Sequence, residues 1–183
     1  MANSEVDVAN MARMLLGAET IMDLDDCPAC YIHFDDIRDV CLEESDWTFA
    51  MKRKVLSSPD ATSPLFDYSY KFLLPTDCLR VVKVNGNEDD WVKEGDYILS
   101  DEEEVEVLYV SRIEDVRKMP PSFIQVFATR LASVIAIPIT NSAEYATAYF
   151  QLYGQLLIMA RGSDGRQGKH QKVNRNVTLR RHG

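Results

Sequence analysis

The spacing of apolar positions changes twice along the chain. Between residues 3 and 18, Val8, Met11, Ala12, Leu15 and Ala18 recur every three or four residues, the period of a helix with one buried face. Asn3 or Ser4 can cap it. Asp25-Asp26-Cys27-Pro28 reads as a second helix start, with an acid before a first-turn proline. Cys30, Phe34, Ile37 and Cys41 follow at helical spacing, and Asp35, Asp36, Asp39, Glu43 and Glu44 take other faces. This predicts a long amphipathic helix ending near Trp47. Residues 49–56 are expected to continue it or to form a short helix. Ser57-Ser58-Pro59-Asp60 closes the helical region.

The period then drops to two. Phe66, Tyr68, Tyr70, Phe72 and Leu74 alternate with Asp67, Ser69, Lys71 and Leu73, the signature of a strand with one apolar face. Pro75-Thr76-Asp77 predicts a turn, residues 79–84 a returning strand, and Asn85-Gly86-Asn87 a hairpin turn. Short strands are expected around Trp91-Val92 and residues 97–99. A last strand sets Val105, Val107 and Tyr109 on one face, with Glu104 and Glu106 on the other.

The helical period returns after Pro120-Pro121, with Phe123, Val126, Phe127, Arg130, Leu131, Val134 and Ile135. Pro138 is expected to end or kink that helix. Asn141 and Glu144 have the spacing of a capping box, ahead of a last helix with Tyr145, Tyr149, Leu152, Tyr153, Leu156 and Met159. The fold class expected is mainly α with a small antiparallel β insertion (α+β). Residues 1–61 and 113–160 form a discontinuous helical bundle, 62–112 the insertion, and 161–183 a disordered basic tail.

Charge sharpens that division. Residues 1–160 hold 13 bases and 28 acids, whereas 161–183 hold seven bases and one acid, Asp164. The tail is too apolar-poor to offset the entropy of ordering, and a basic end of this kind suits an anionic partner. The acidic body disfavours a generic duplex-binding protein. Charged residues make up 27% of the chain, and no segment was expected to provide the ~20 apolar residues that span a bilayer. Residues 1–10 carry two acids and no base, so neither a signal nor a transit peptide is expected there. Four cysteines are too few for a disulfide-stapled scaffold, which points to a reducing compartment.

No catalytic, metal or cofactor site is expected. Of the three histidines, His170 and His182 fall in the tail, and His33 has no nucleophile motif beside it. Cys27-Pro28-Ala29-Cys30 has the spacing of half a zinc site or of a redox pair. Cys41 and Cys78 are isolated, however, and an acidic loop rather than a strand precedes the motif. The cysteines are therefore read as small buried hydrophobes. No phosphate-binding glycine loop occurs. The run Asp101-Glu102-Glu103-Glu104 lacks the alternation of a calcium loop and reads as a charged turn.

Five blocks in order resemble the tail tubular protein A family, the head-to-tail adaptors of short-tailed bacteriophages. Leu15-Leu16-Gly17-Ala18 precedes Ile21 and Leu24. Cys30, Arg38 and Leu42 lead to Trp47-Thr48-Phe49-Ala50, Lys52-Arg53 and Leu56. Tyr68 and Tyr70 precede Leu74-Pro75-Thr76-Asp77-Cys78-Leu79-Arg80-Val81, the most specific block. Gly95-Asp96-Tyr97-Ile98-Leu99-Ser100-Asp101 leads to Val107, Tyr109 and Arg112. Pro121 and Phe123 precede Ala128, Arg130-Leu131-Ala132, Ala136, Thr140 and Ser142. The resemblance covers residues 10–160, and the Cys27-Pro28-Ala29-Cys30 motif, as a pair of cysteines, is not part of it.

The resemblance implies a virion protein assembled in the host cytoplasm and placed in the tail at the portal vertex. Its copies would form a twelve-membered ring joining the portal protein to the tail nozzle (tail tubular protein B), with no membrane partner. Packaged DNA would pass through the channel without sequence-specific binding, past an acidic wall. Arg166, Lys169, Lys172, Arg175, Arg180 and Arg181 would dock the tail on the portal, and a chain lacking residues 164–183 would stay folded but lose portal binding. Tyr145, Tyr149 and Tyr153 would face a neighbouring subunit, or else belong to an ordinary core. Three other classes compete: a nucleic-acid-binding regulator with a basic arm, a head-completion or tail-terminator protein of a long-tailed phage, and a small redox enzyme built on Cys27 and Cys30.

Overall fold

The structure, a computed structural model, describes residues 4–57, 59–86 and 91–167. Helices α1 (Glu5–Leu15), α2 (Pro28–Glu43), α3 (Pro121–Thr140) and α4 (Ala143–Gln167) enclose strands β1 (Met51–Leu56), β2 (Tyr70–Leu73), β3 (Cys78–Val84), β4 (Val92–Glu94), β5 (Tyr97–Ser100) and β6 (Val105–Ser111). The α+β class read from the sequence holds.

Local chemistry sets the helix ends. Ser4 and Asp7 make a capping box on α1, with Asp7 N–H on Ser4 Oγ at 3.2 Å and Ser4 N–H on Asp7 Oδ2 at 3.1 Å. Cys27 caps α2, its sulfur accepting from Cys30 N–H at 3.2 Å, with Pro28 in the first turn. Pro138 falls in the last turn of α3, which ends two residues later at Thr140. Asn141 does not open α4. It sits in the left-handed region (φ 53°) and closes α3 by donating to Ile137 C=O at 2.9 Å. Ser142 accepts from Tyr145 N–H at 3.4 Å in its place.

At 20 residues, α3 is long and apolar enough by length and composition to cross a bilayer, contrary to the sequence expectation. Here it is the core helix. Phe123, Ile124, Val126, Phe127, Leu131 and Ile135 are buried beneath α1, α2 and α4. Its aromatic end packs edge-on, with Phe34 on Phe127 at 4.9 Å and Trp47 on Phe123 at 5.2 Å between ring centres. Burying each such ring stabilises the fold by about 1.5–3 kcal/mol.

The β unit begins earlier than expected. Residues 49–56 are not helical. Met51–Leu56 is a strand pairing antiparallel with β6, in the sheet order β1-β6-β3. Lys52 to Val55 are all exposed, as an edge strand permits, so no alternation marks the strand in sequence. The strand expected from Phe66 onward pairs only over Tyr70–Leu73. Asp67 takes φ 68° and Tyr68 N–H donates to Phe66 C=O at 2.9 Å, which folds residues 66–68 into a tight turn. Nor does β3 return along β2. It pairs with β6, while β2, β5 and β4 form a second antiparallel sheet. Asn85 and Gly86 have the positive φ of an Asn-Gly turn, but the strands on either side belong to different sheets.

Sheet β1-β6-β3 bridges the two halves. Val105, Val107 and Tyr109 face a small core with Phe72, Ile98 and Val81, whereas Val110 joins the helical core. Arg112 reaches Asp39 of α2 at 2.7 Å, and Asp39 also holds buried Arg38 at 3.0 Å. Arg80 caps the end of α2 through Glu43 C=O at 2.9 Å and pairs with Asp46 at 2.5 Å.

The boundary at residue 161 also moves. α4 continues to Gln167. Arg161 donates to Glu44 C=O. Asp164, buried at 7% exposure, accepts from Thr48 N–H at 2.8 Å and Thr48 Oγ1 at 2.7 Å. The helix end is thereby pinned to the segment before β1, so removing residues 164–183 would take two hydrogen bonds from the body as well as the tail. Lys169, Lys172, Arg175, Arg180 and Arg181 lie outside the described residues.

Candidate functional site

α3 and α4 are joined by only two residues and lie along each other. α4 buries one narrow face, consisting of Tyr153, Leu157, Ala160 and Asp164. One row away, Tyr145, Tyr149, Leu152, Leu156 and Met159 recur at intervals of four, three, four and three, the spacing of a coiled-coil seam. Tyr149 and Leu156 are half-buried against the core, while Tyr145, Leu152 and Met159 remain 49%, 37% and 69% exposed. No described helix covers this row.

A groove runs beside it. Leu152 and Leu156 of α4, Met11, Met14 and Leu15 of α1, and Gln125, Ala128 and Thr129 of α3 line about 610 Å³. The Tyr149 hydroxyl donates to Leu15 C=O, which satisfies a carbonyl left open at the end of α1 and fixes one end of the groove. Methionine side chains adapt to the shape of whatever enters. Covering the half-exposed apolar groups would contribute on the order of 1 kcal/mol each. On the far side of α4, Phe150 lies against the Arg130 guanidinium at 4.8 Å, and Ile158 is exposed.

The three tyrosines do not share one face. Tyr145 is exposed and Tyr149 is half-buried, but Tyr153 belongs to the core at 4% exposure, so it is not available to a neighbour. Arg166 is exposed on the last turns of α4, its Nε donating to Gly162 C=O at 3.2 Å. Sequence reading missed Met11, Met14 and Leu15 as partners of this row. The four-three spacing of Leu152, Leu156 and Met159 is present in the sequence and could have marked the row.

The cysteines are arranged differently from the expectation of separate buried thiols. Cys27 and Cys30 are joined as a disulfide, at 3% and 0% exposure. With both sulfurs covered, an attacking thiolate has no approach to them. Cys41 and Cys78 are free. Burial, aided by nearby Glu44, pushes the Cys41 thiol up to about 12, and burial pushes Cys78 up to about 11. Both therefore stay protonated at neutral pH. His33 is half-buried on α2. Among the described residues, no group of three or more His, Cys, Asp or Glu side chains is placed to hold a metal ion. No protein-family model matches the chain, and no curated protein matches it significantly.

Proposed function

We propose that the chain is a structural subunit that acts in many copies, a head-to-tail adaptor ring seated between a portal and a tail nozzle. The observation that carries this reading is the uncovered four-three row on α4 beside the groove of α1 and α3. A seam of this kind receives a helix of a neighbour, knob into hole, and a contact between unlike surfaces repeats into a ring when its rotation closes. The ordered family-like blocks, Leu74-Pro75-Thr76-Asp77-Cys78-Leu79-Arg80-Val81 above all, set the expected ring at twelve copies.

Charge supports the same reading. A body with 28 acids against 13 bases would line a channel with negative charge and let duplex DNA slide without neutralising its phosphates. The bases from Lys169 onward would dock on acidic clefts of the portal, with Arg166 at the root of that arm. Cosedimentation with purified portal rings tests this reading. The full chain should pellet with the rings, and a chain ending at Gln167 should stay folded but remain in the supernatant. A chain carrying Leu152→Asp and Met159→Asp should bind the portal without closing a ring. Failure of the full chain to pellet would overturn the proposal.

A further inference from the structure

The body contains few bases, and several of them hold carboxylates: Lys71 with Asp60, Arg80 with Asp46, Arg112 with Asp39 and Arg117 with Asp115. Three bases stand together in the run Lys52-Arg53-Lys54. Lys52 pairs with Asp77 at 2.6 Å, but Arg53 and Lys54 make no ion pair among the described residues, and both are exposed. In an acidic chain, two adjacent bases without a carboxylate invite an acidic partner.

Their backbone setting identifies the kind of partner. β1 is an edge of sheet β1-β6-β3, so one side of its backbone has no ladder partner among the described residues. The opposite edge, β3, is spoiled for pairing by register shifts between Cys78 and Arg80 and between Val81 and Lys83. β1 carries no such irregularity, since its register with β6 runs unbroken from Met51–Val110 to Leu56–Val105. Arg53 and Lys83 lie opposite Leu108 from either side, roughly 10 Å apart across three strands. They flank a shallow groove of about 440 Å³ that Lys54, Val55 and Leu108 also line. Lysines on an edge strand usually repel other strands. A strand that brings complementary acids turns that repulsion into attraction.

We propose that the outer edge of β1 docks an extended acidic segment of a partner protein by strand addition. Three successive acids would face Lys54, Arg53 and Lys52, and an apolar residue would cover half-exposed Val55. An extended peptide fits this edge better than duplex DNA does. The bases sit on consecutive residues of one regular strand, where an added strand can meet each of them in register. This surface is separate from the α4 seam, and the inference does not depend on the adaptor reading.

The probe is an end-blocked nine-residue peptide with three central glutamates between valines, added to the full chain. Amide hydrogen exchange is followed residue by residue, and binding by fluorescence anisotropy. Exchange should slow across residues 51–56. Affinity should fall at least tenfold in the Arg53→Gln, Lys54→Gln variant, in the peptide N-methylated at alternate residues, and in the peptide with lysines in place of glutamates. Lys118→Gln, a base on another surface, should leave binding unchanged. Equal binding of the N-methylated peptide, or protection outside residues 51–56, would overturn the proposal. So would a 20-base-pair duplex that slows exchange at these amides while the peptide does not.

Discussion

The helical body surrounds α3 with apolar side chains on nearly every side, whereas the β unit closes a thin core between two three-stranded sheets. The β unit relies instead on aspartates. Asp77 holds Lys52 at 2.6 Å and the Tyr109 hydroxyl at 3.1 Å, Asp101 takes Ser69 N–H at 2.9 Å, and Asp60 takes Thr62 N–H at 2.9 Å. Burial supplies most of the body's stability, with carboxylates such as Asp39 and Asp164 adding to it, while carboxylate bonds carry a larger share in the β unit, where they are stronger when ionised. The body thus supplies a rigid frame with apolar surface to spare. The β unit is a smaller attachment whose order depends on charge and on its junction through β6.

The comparison breaks most sharply under cavity formation. Phe123→Ala should cost about 3–5 kcal/mol, seen as a lower urea midpoint with loss of helical signal. Phe72→Ala makes a similar hole, but exchange should speed up in residues 51–111 while α3 stays protected. If both halves lose protection together in Phe72→Ala, they form one cooperative unit and the distinction fails.

Asp164→Ala comes next. It leaves Thr48 N–H without its acceptor, and the loss of a charge-assisted bond at a buried carboxylate should cost about 1.5–3 kcal/mol, again read from urea unfolding. An unchanged midpoint would mean that residues 161–167 are not part of the body.

Acid should then separate the halves without mutation. Thr62 N–H, Thr62 hydroxyl and Lys71 hold Asp60 down at about 2 from its ordinary 3.8. A depressed carboxyl stabilises the fold fully above its ordinary value and loses that contribution as pH falls through 2. Burial pushes Asp77 up, but Lys52 and the Tyr109 hydroxyl outweigh it, so its shift is also downward and acts in the same sense. Exchange in the β unit should therefore accelerate between pH 4 and 2 while α3 changes little. Uniform acceleration would contradict the contrast.

The smallest effect is chemical. A maleimide at neutral pH should leave Cys41 and Cys78 of the folded chain largely unlabelled and react with both after unfolding. Cys27 and Cys30 should react only after reduction. Rapid labelling of Cys41 in the folded chain would contradict its burial, whereas half-buried Cys78 should react more slowly than in the unfolded chain.

Much of the body was legible because its period is simple. The apolar spacing of α1, α2, α3 and α4 survives in the fold, and Ser4 caps α1 as expected. The misses have physical causes. β1 is a charged edge with no buried face to mark it, so Lys52-Arg53-Lys54 resembled the polar side of a helix. Gly162 and Gly165 each cost about 1 kcal/mol in a helix, which hid the end of α4. Contacts from Arg161 and Asp164 offset that cost. Tyr145, Tyr149 and Tyr153 are four residues apart, and each step overshoots a turn by about 40°, so the row drifts from the surface into the core. The exposed row on α4 was visible as spacing, but its neighbours on α1 depend on how two distant helices pack.

Electron microscopy of this protein mixed with purified portal rings of a short-tailed phage, the partner proposed for it, tests the central claim most directly. The account predicts class averages in which a second ring of this chain stacks coaxially on the portal. Bare portals, with this chain remaining a dispersed monomer at saturating concentration, would contradict it.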